Sequence, residues 1–153
     1  MDFSRLQWSD WLAALGGLVL GLSVFVHKTY EARPESPTAN INGLKGTVSI
    51  WQVHDLMRWL LLGAAIAPII LIYIIARDHE LSWPRGEMTA VVGLAAVTLI
   101  LYTGIIDRPG DPSGQIELDW SWYTALAGAM AIAVGGAIRA SSTERKRKPP
   151  GVL

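Results

Sequence analysis

Residues Trp59 to Ala76, WLLLGAAIAPIILIYIIA, carry no charge and a single proline, Pro68. At ~1.5 Å of rise per residue a helix of this length reaches roughly 27 Å, close to the ~30 Å hydrocarbon core of a bilayer. Three more stretches repeat the pattern: Trp11 to Val26, Met88 to Ile106 and Trp120 to Ile138. The chain is therefore expected to be an all-α, four-helix transmembrane bundle forming one domain over residues 1–153. The expected spans are about 10–27, 54–76, 87–106 and 120–139, with a loop at 28–49 and a basic tail at 140–153. The first span carries Asp2, Arg5 and Asp10 ahead of it and no small-x-small cleavage site after Val26, so it is expected to be retained.

Local signals refine the ends. Ser49-Ile50-Trp51-Gln52 matches a capping box, which predicts that the second helix starts near Ile50 and runs unbroken through His54, Asp55 and Arg58 into the membrane. Ser82-Trp83-Pro84 opens the third helix. Residues 107–114 (DRPGDPSG) read as a turn-rich loop. The loop after the first span, rich in Pro, Asn and Gly, is expected to be irregular, with a short hairpin at Asn42-Gly43, and to offer a docking surface.

Lys and Arg number 13 and so do Asp and Glu, which leaves no net basic field for nucleic acid. Their distribution sets an expected orientation. With the amino terminus inside, the cytoplasmic segments hold eight basic residues, among them the Arg145 to Lys148 cluster, against five outside. Both termini are expected in the cytoplasm, with the protein in the plasma membrane. Seven tryptophans lie near span ends, as interfacial anchors do.

Chemistry is sparse. The absence of cysteine excludes disulfide frameworks, thiolate metal sites and thiol redox catalysis. No ionisable residue lies within the four apolar cores, which disfavours ion-coupled transport. On the expected outer face His54, Asp55, Arg58, Asp107 and Arg108 form a candidate interaction cluster, with His54 and Asp55 one turn from Arg58. A haem or metal site on His27 and His54 is the sharpest cofactor hypothesis, but two histidines without a motif do not define one, and no cofactor is expected. Helix packing is expected through Gly17 and Gly21, a GxxxG, and through the alanines Ala125, Ala129, Ala133 and Ala137. Pro68 removes a backbone bond to Ala64 and marks a kink.

Four stretches, DWLAALGGLVLGLSVFV (10–26), SIWQVHDLMRWLLL (49–62), LYTGIIDRPG (101–110) and AGAMAIAVGGAIRA (127–140), resemble a broad group of small four-span membrane proteins common in actinobacteria. Members carry a Pro-Trp-Tyr-like cluster after the first span, where this chain has His27-Lys28-Thr29-Tyr30. The resemblance implies fold and membrane address and no activity. The expectation is a non-catalytic accessory or assembly subunit beside a membrane-protein partner or a second copy. A passive lipid or hydrophobic-molecule binder or conduit is the alternative.

Overall fold

The computed structural model describes residues 3–26, 28–36, 38–77 and 85–147, with side chains up to 142. His27, the Ser82-Trp83-Pro84 start signal and Lys148 lie outside the described residues. Among the described residues five α-helices and three short strands follow in the order α1 (Trp8–Phe25), β1 (Tyr30–Ala32), β2 (Thr47–Val48), α2 (Ile50–Val53), α3 (Met57–Ala76), α4 (Arg85–Leu101), β3 (Ile116–Leu118) and α5 (Trp120–Arg147). A π-helical turn, Tyr102–Ile106, continues α4. Four helices are long and apolar enough to cross a membrane: Trp8–Phe25, Met57–Ala76, Gly86–Ile106 and Trp120–Ser142. The chain is a multi-pass membrane protein built as a four-helix bundle.

The helix α5 is the spine. It packs along α1 on one side and α4 on the other; α3 leans on α1 and meets α4 only lightly. Two Gly-Gly pairs make this closeness possible, because consecutive helical residues point ~100° apart and can each serve a different neighbour. A Cβ on Gly16 would meet Gly128 O at 2.6 Å on α5, whereas one on Gly17 would meet Ala65 O and lie 3.0 Å from Pro68 Cγ on α3. Likewise a Cβ on Gly135 would meet Ser9 O at 2.6 Å on α1, and one on Gly136 would meet Ala90 on α4. Such backbone approach is a main source of helix association in lipid, where burying an apolar side chain gains little.

The expected small-residue faces are thus partly redrawn. Gly17 packs as expected, while a Cβ on Gly21 would meet only Ala65 Cβ at an ordinary 3.5 Å. Ala125 and Ala129 are fully buried and Ala133 meets Gly93, but Ala137 is exposed and does not belong to the packing face. A four-residue repeat drifts around a 3.6-residue helix, so the stripe leaves the interface by its fourth member. The α3 helix continues across Pro68, which is buried against α1.

At one end of the bundle the chain forms a cap. The antiparallel sheet has the order β2-β1-β3, with Tyr30 opposite Val48 and Leu118, and Ala32 opposite Ile116. Asn42 and Gly43 have φ of 52° and 81°, and Ile41 and Leu44 exchange backbone bonds of 3.1 and 3.0 Å, the two-residue turn expected there. The described residues between β1 and β2 otherwise hold turns and isolated bridges, as expected of an irregular loop. Tyr30, Ile41, Val48, Ile50 and Ile116 form one buried cluster with the bundle residues Leu20, Val24, Leu61 and Ile100. The inner residues of the cap are part of the core, while Arg33, Pro34, Glu35 and residues 42–46 stay exposed on its outer side.

Two further boundaries differ from expectation. The capping box at Ser49 is present, with Gln52 Oε1 accepting from Ser49 N at 3.1 Å, but it closes only the one-turn α2. His54 is extended (φ −119°, ψ 95°), so the second helix is interrupted before α3 starts at Met57. At the other end α5 runs on to Arg147, so much of the expected tail is helical.

Candidate functional site

Three places concentrate polar groups or open surface. The first lies beneath the cap. Thr103 Oγ1 donates to Leu99 O at 3.1 Å, the usual back-bond of a helical threonine, and accepts from Tyr30 Oη at 3.4 Å. Since the Tyr30 proton is thereby used, the 3.2 Å contact between Tyr30 Oη and His54 Nε2 is a bond donated by the imidazole. The chain His54 to Tyr30 to Thr103 to Leu99 O accounts for the helix break at His54: its ring is turned inward onto Tyr30, edge to face at 5.7 Å. Burial pushes the Tyr30 phenol up to about 12, against smaller opposing effects of the Thr103 bond and the Arg108 charge. Burial also holds the His54 imidazole below its ordinary value, opposed by the Asp107 carboxylate.

The π turn belongs to the same construction. A π turn shifts the backbone ladder and leaves a carbonyl without its usual amide. Here Ile100 O accepts the indole N–H of Trp122 at 3.3 Å, and that ring lies against Gly104, where no side chain would fit. Trp122 is therefore a buried core residue and not an interfacial anchor as expected. Arg108 points back, donating from Nε to Gly104 O at 2.9 Å and from Nη1 to Ile116 O at 2.7 Å, which pins β3 to the end of α4.

The candidate cluster of the sequence accordingly divides. His54 and Arg108 hold the cap onto the bundle. Asp55 and Asp107 are exposed. Arg58 stands on the bundle perimeter: its Nη1 lies 3.1 Å from Trp51 O and 3.2 Å from Asp55 Oδ1, and its guanidinium stacks 4.8 Å from the Trp51 ring. Among the described residues no three His, Cys, Asp or Glu side chains gather in a metal-ligating group.

The second place is at the opposite end, where the termini lie, and sequence reasoning misses it. Asp10, in the first turn of α1, accepts from Gln7 N at 2.8 Å and sits 3.2 Å from Arg139 Nη1 of α5. Both side chains are buried, 3% and 11% exposed, beside Ser9, whose Oγ has no hydrogen-bond partner among the described residues. In sequence each charge is only a flank of its own span. Asp10 is the third residue of a capping box and Arg139 closes an apolar run four residues after Gly135, the glycine that abuts Ser9. That registration of α1 on α5 is the signal that could have joined them.

The third place is the lipid-facing perimeter. Between α3 and α4 lies an apolar groove of about 330 Å³ lined by Gly63, Ala64, Ala67, Val92, Ala95 and Ala96 together with Leu60 and Leu99. Between α1 and α3 lies another of about 210 Å³, with Gly17 and Gly21 in its floor and Leu18, Leu22, Phe25, Leu62, Ile66 and Ile69 along its walls. Both are open to the surroundings of the bundle.

Comparison of the chain with protein-family models, curated proteins and solved structures yields no match. The functional reading therefore rests on the groove and cap geometry alone.

Proposed function

We propose that the protein is a non-catalytic accessory subunit of the plasma membrane that receives a transmembrane helix of a larger membrane protein in the α3/α4 groove. The observation that carries this reading is Gly63. A Cβ there would have no atom within 4 Å, whereas at the other described glycines of the four spans it would meet a neighbouring element of the chain. Glycine costs about 1 kcal/mol relative to alanine in a helix interior, and Gly63 gains no internal contact in return. Gly63 and Ala67 form a small-xxx-small pair open to the bilayer, the surface on which a second helix approaches closely. The two open grooves lie on the perimeter, whereas the cavity enclosed by all four spans, lined by Asp10, Pro68, Thr89 and Arg139 among others, holds only about 10 Å³, which favours this reading over a conduit.

The test uses the freedom at this position. Gly63→Leu leaves the bundle folded, because nothing stands in the way, and removes a membrane-protein companion that co-purifies with the wild type in mild detergent. A wild-type chain that migrates alone, or a companion retained at full stoichiometry by Gly63→Leu, contradicts the proposal. The termini are assigned to the cytoplasm on the basic cluster that follows the last apolar run. In intact cells Ser113→Cys, at the cap end, reacts with an impermeant thiol reagent and Ser141→Cys does not; the reverse pattern inverts the orientation.

A further inference from the structure

We propose that the α1/α3 groove is a phospholipid site, taking one acyl chain along its apolar walls and the phosphate at Arg58. Arg58, Leu62, Ile66 and Ile69 are spaced 4, 4 and 3 residues apart and so form one stripe on α3, with the cation at the cap end and the three apolar side chains in the groove. From Arg58 to Ile69 the stripe runs roughly 16 Å, about half of the ~30 Å hydrocarbon core. The groove thus matches one leaflet in depth, with its charge where the headgroups lie.

Aromatic residues fix that depth independently. Phe25, at the end of the groove, stacks on Trp51 at 5.0 Å; Trp51 meets Trp59 at 5.2 Å; and Trp59 is 58% exposed, as interfacial tryptophans are. The guanidinium of Arg58 lies 4.8 Å from the Trp51 ring and 5.9 Å from the Trp59 ring, beside this aromatic pair. Its described bonds use Nη1 only, so the Nη2 edge keeps its donors for an anion. Among the described residues Asp55 is the carboxylate paired with Arg58, and its side chain is 92% exposed, so that ion pair is weak enough for a phosphate to replace. The α3/α4 groove differs in kind: its lining holds no charged residue and its floor opens at Gly63, which suits a helix and not a headgroup.

The full chain, reconstituted in nanodiscs of equimolar phosphatidylglycerol and phosphatidylcholine and released into the gas phase, tests the site by native mass spectrometry. The wild type retains one phospholipid per chain. Ile66→Trp fills the groove at a position 49% exposed, where the fold has room, and lowers retention at least fivefold. Arg58→Gln does the same, Arg58→Lys restores part of it, and Leu94→Trp, equally lipid-facing on α4, leaves it unchanged. Retention unaffected by Ile66→Trp overturns the groove as the site. Loss on Ile66→Trp with full retention in Arg58→Gln overturns the phosphate assignment, and equal loss in Leu94→Trp shows non-specific annular lipid only.

Discussion

Tyr30 is a phenol with no exposed surface at the edge of a membrane, held by an imidazole on one side and a threonine on the other. Its protonation is tied to folding. Because its folded value lies near 12 and its unfolded value near 10, the associated stabilisation is complete below pH 10 and declines as pH rises towards 12, by roughly 2–3 kcal/mol in all. Ultraviolet titration shows a tyrosine ionisation step near pH 12, and Tyr30→Phe removes it. The His54 ring behaves in the opposite sense. Its depressed folded value means that stability is fully present above the ordinary histidine range of ~6.5 and falls as the pH drops below it. Thermal melts from pH 7.5 to 5 decline more for the wild type than for His54→Gln, which keeps a donor for Tyr30 and loses the titration. At the other end, Asp10→Asn or Arg139→Met breaks the buried 3.2 Å pair by removing one member and costs about 3–5 kcal/mol, whereas Asp10→Leu combined with Arg139→Met costs less than either single change. Denaturation in detergent measures both; a double variant as damaged as the sum of the singles would deny the coupling.

Helix by helix, the spans are legible in the sequence because an uncharged apolar run about as long as the bilayer core is thick fits a membrane span and little else. The capping box at Ser49 is legible because its two partners are three residues apart. What escapes is what depends on a distant neighbour. Nothing local in HDLM marks the break at His54; it follows from a tyrosine 24 residues earlier and a threonine 49 residues later. The strand β3 is hidden for a similar reason, since three residues after a turn-rich loop gain strand character only by pairing with β1. The glycine pairs are visible as letters, but only the packing shows that each residue of a pair serves a different helix. That division has a measurable consequence. Gly16→Ala and Gly135→Ala, directed at α1/α5 backbone, and Gly136→Ala, directed at α4, each force helices apart and lower the melting temperature. Enlarging the exposed Ala137 by substitution to Val changes it little. Equal tolerance at all four positions would refute the close-packed spine.

For the whole molecule, the internal contacts and the perimeter tell different stories. The spine, the cap and the Asp10–Arg139 pair unite α1, α4 and α5 into one closely packed unit. The α3 helix is held mainly by α1, and its remaining faces line both grooves. The site is accordingly less legible than the fold. Polar residues draw attention to His54, Asp55, Arg58, Asp107 and Arg108, of which the structure leaves Arg58 as a perimeter cation and turns His54 and Arg108 to holding the cap. Gly63 is unmarked in the middle of an apolar run, because a glycine without a neighbour looks in sequence like any other. The most direct measurement is photo-cross-linking from a benzophenone side chain placed at Ala67, in native membranes. The account predicts one adduct to another membrane protein, of a mass other than twice the 16.6 kDa chain, that disappears when Gly63 is also changed to Leu. Adducts to lipid alone, to a second copy of the chain, or to the same protein regardless of Gly63 would contradict it.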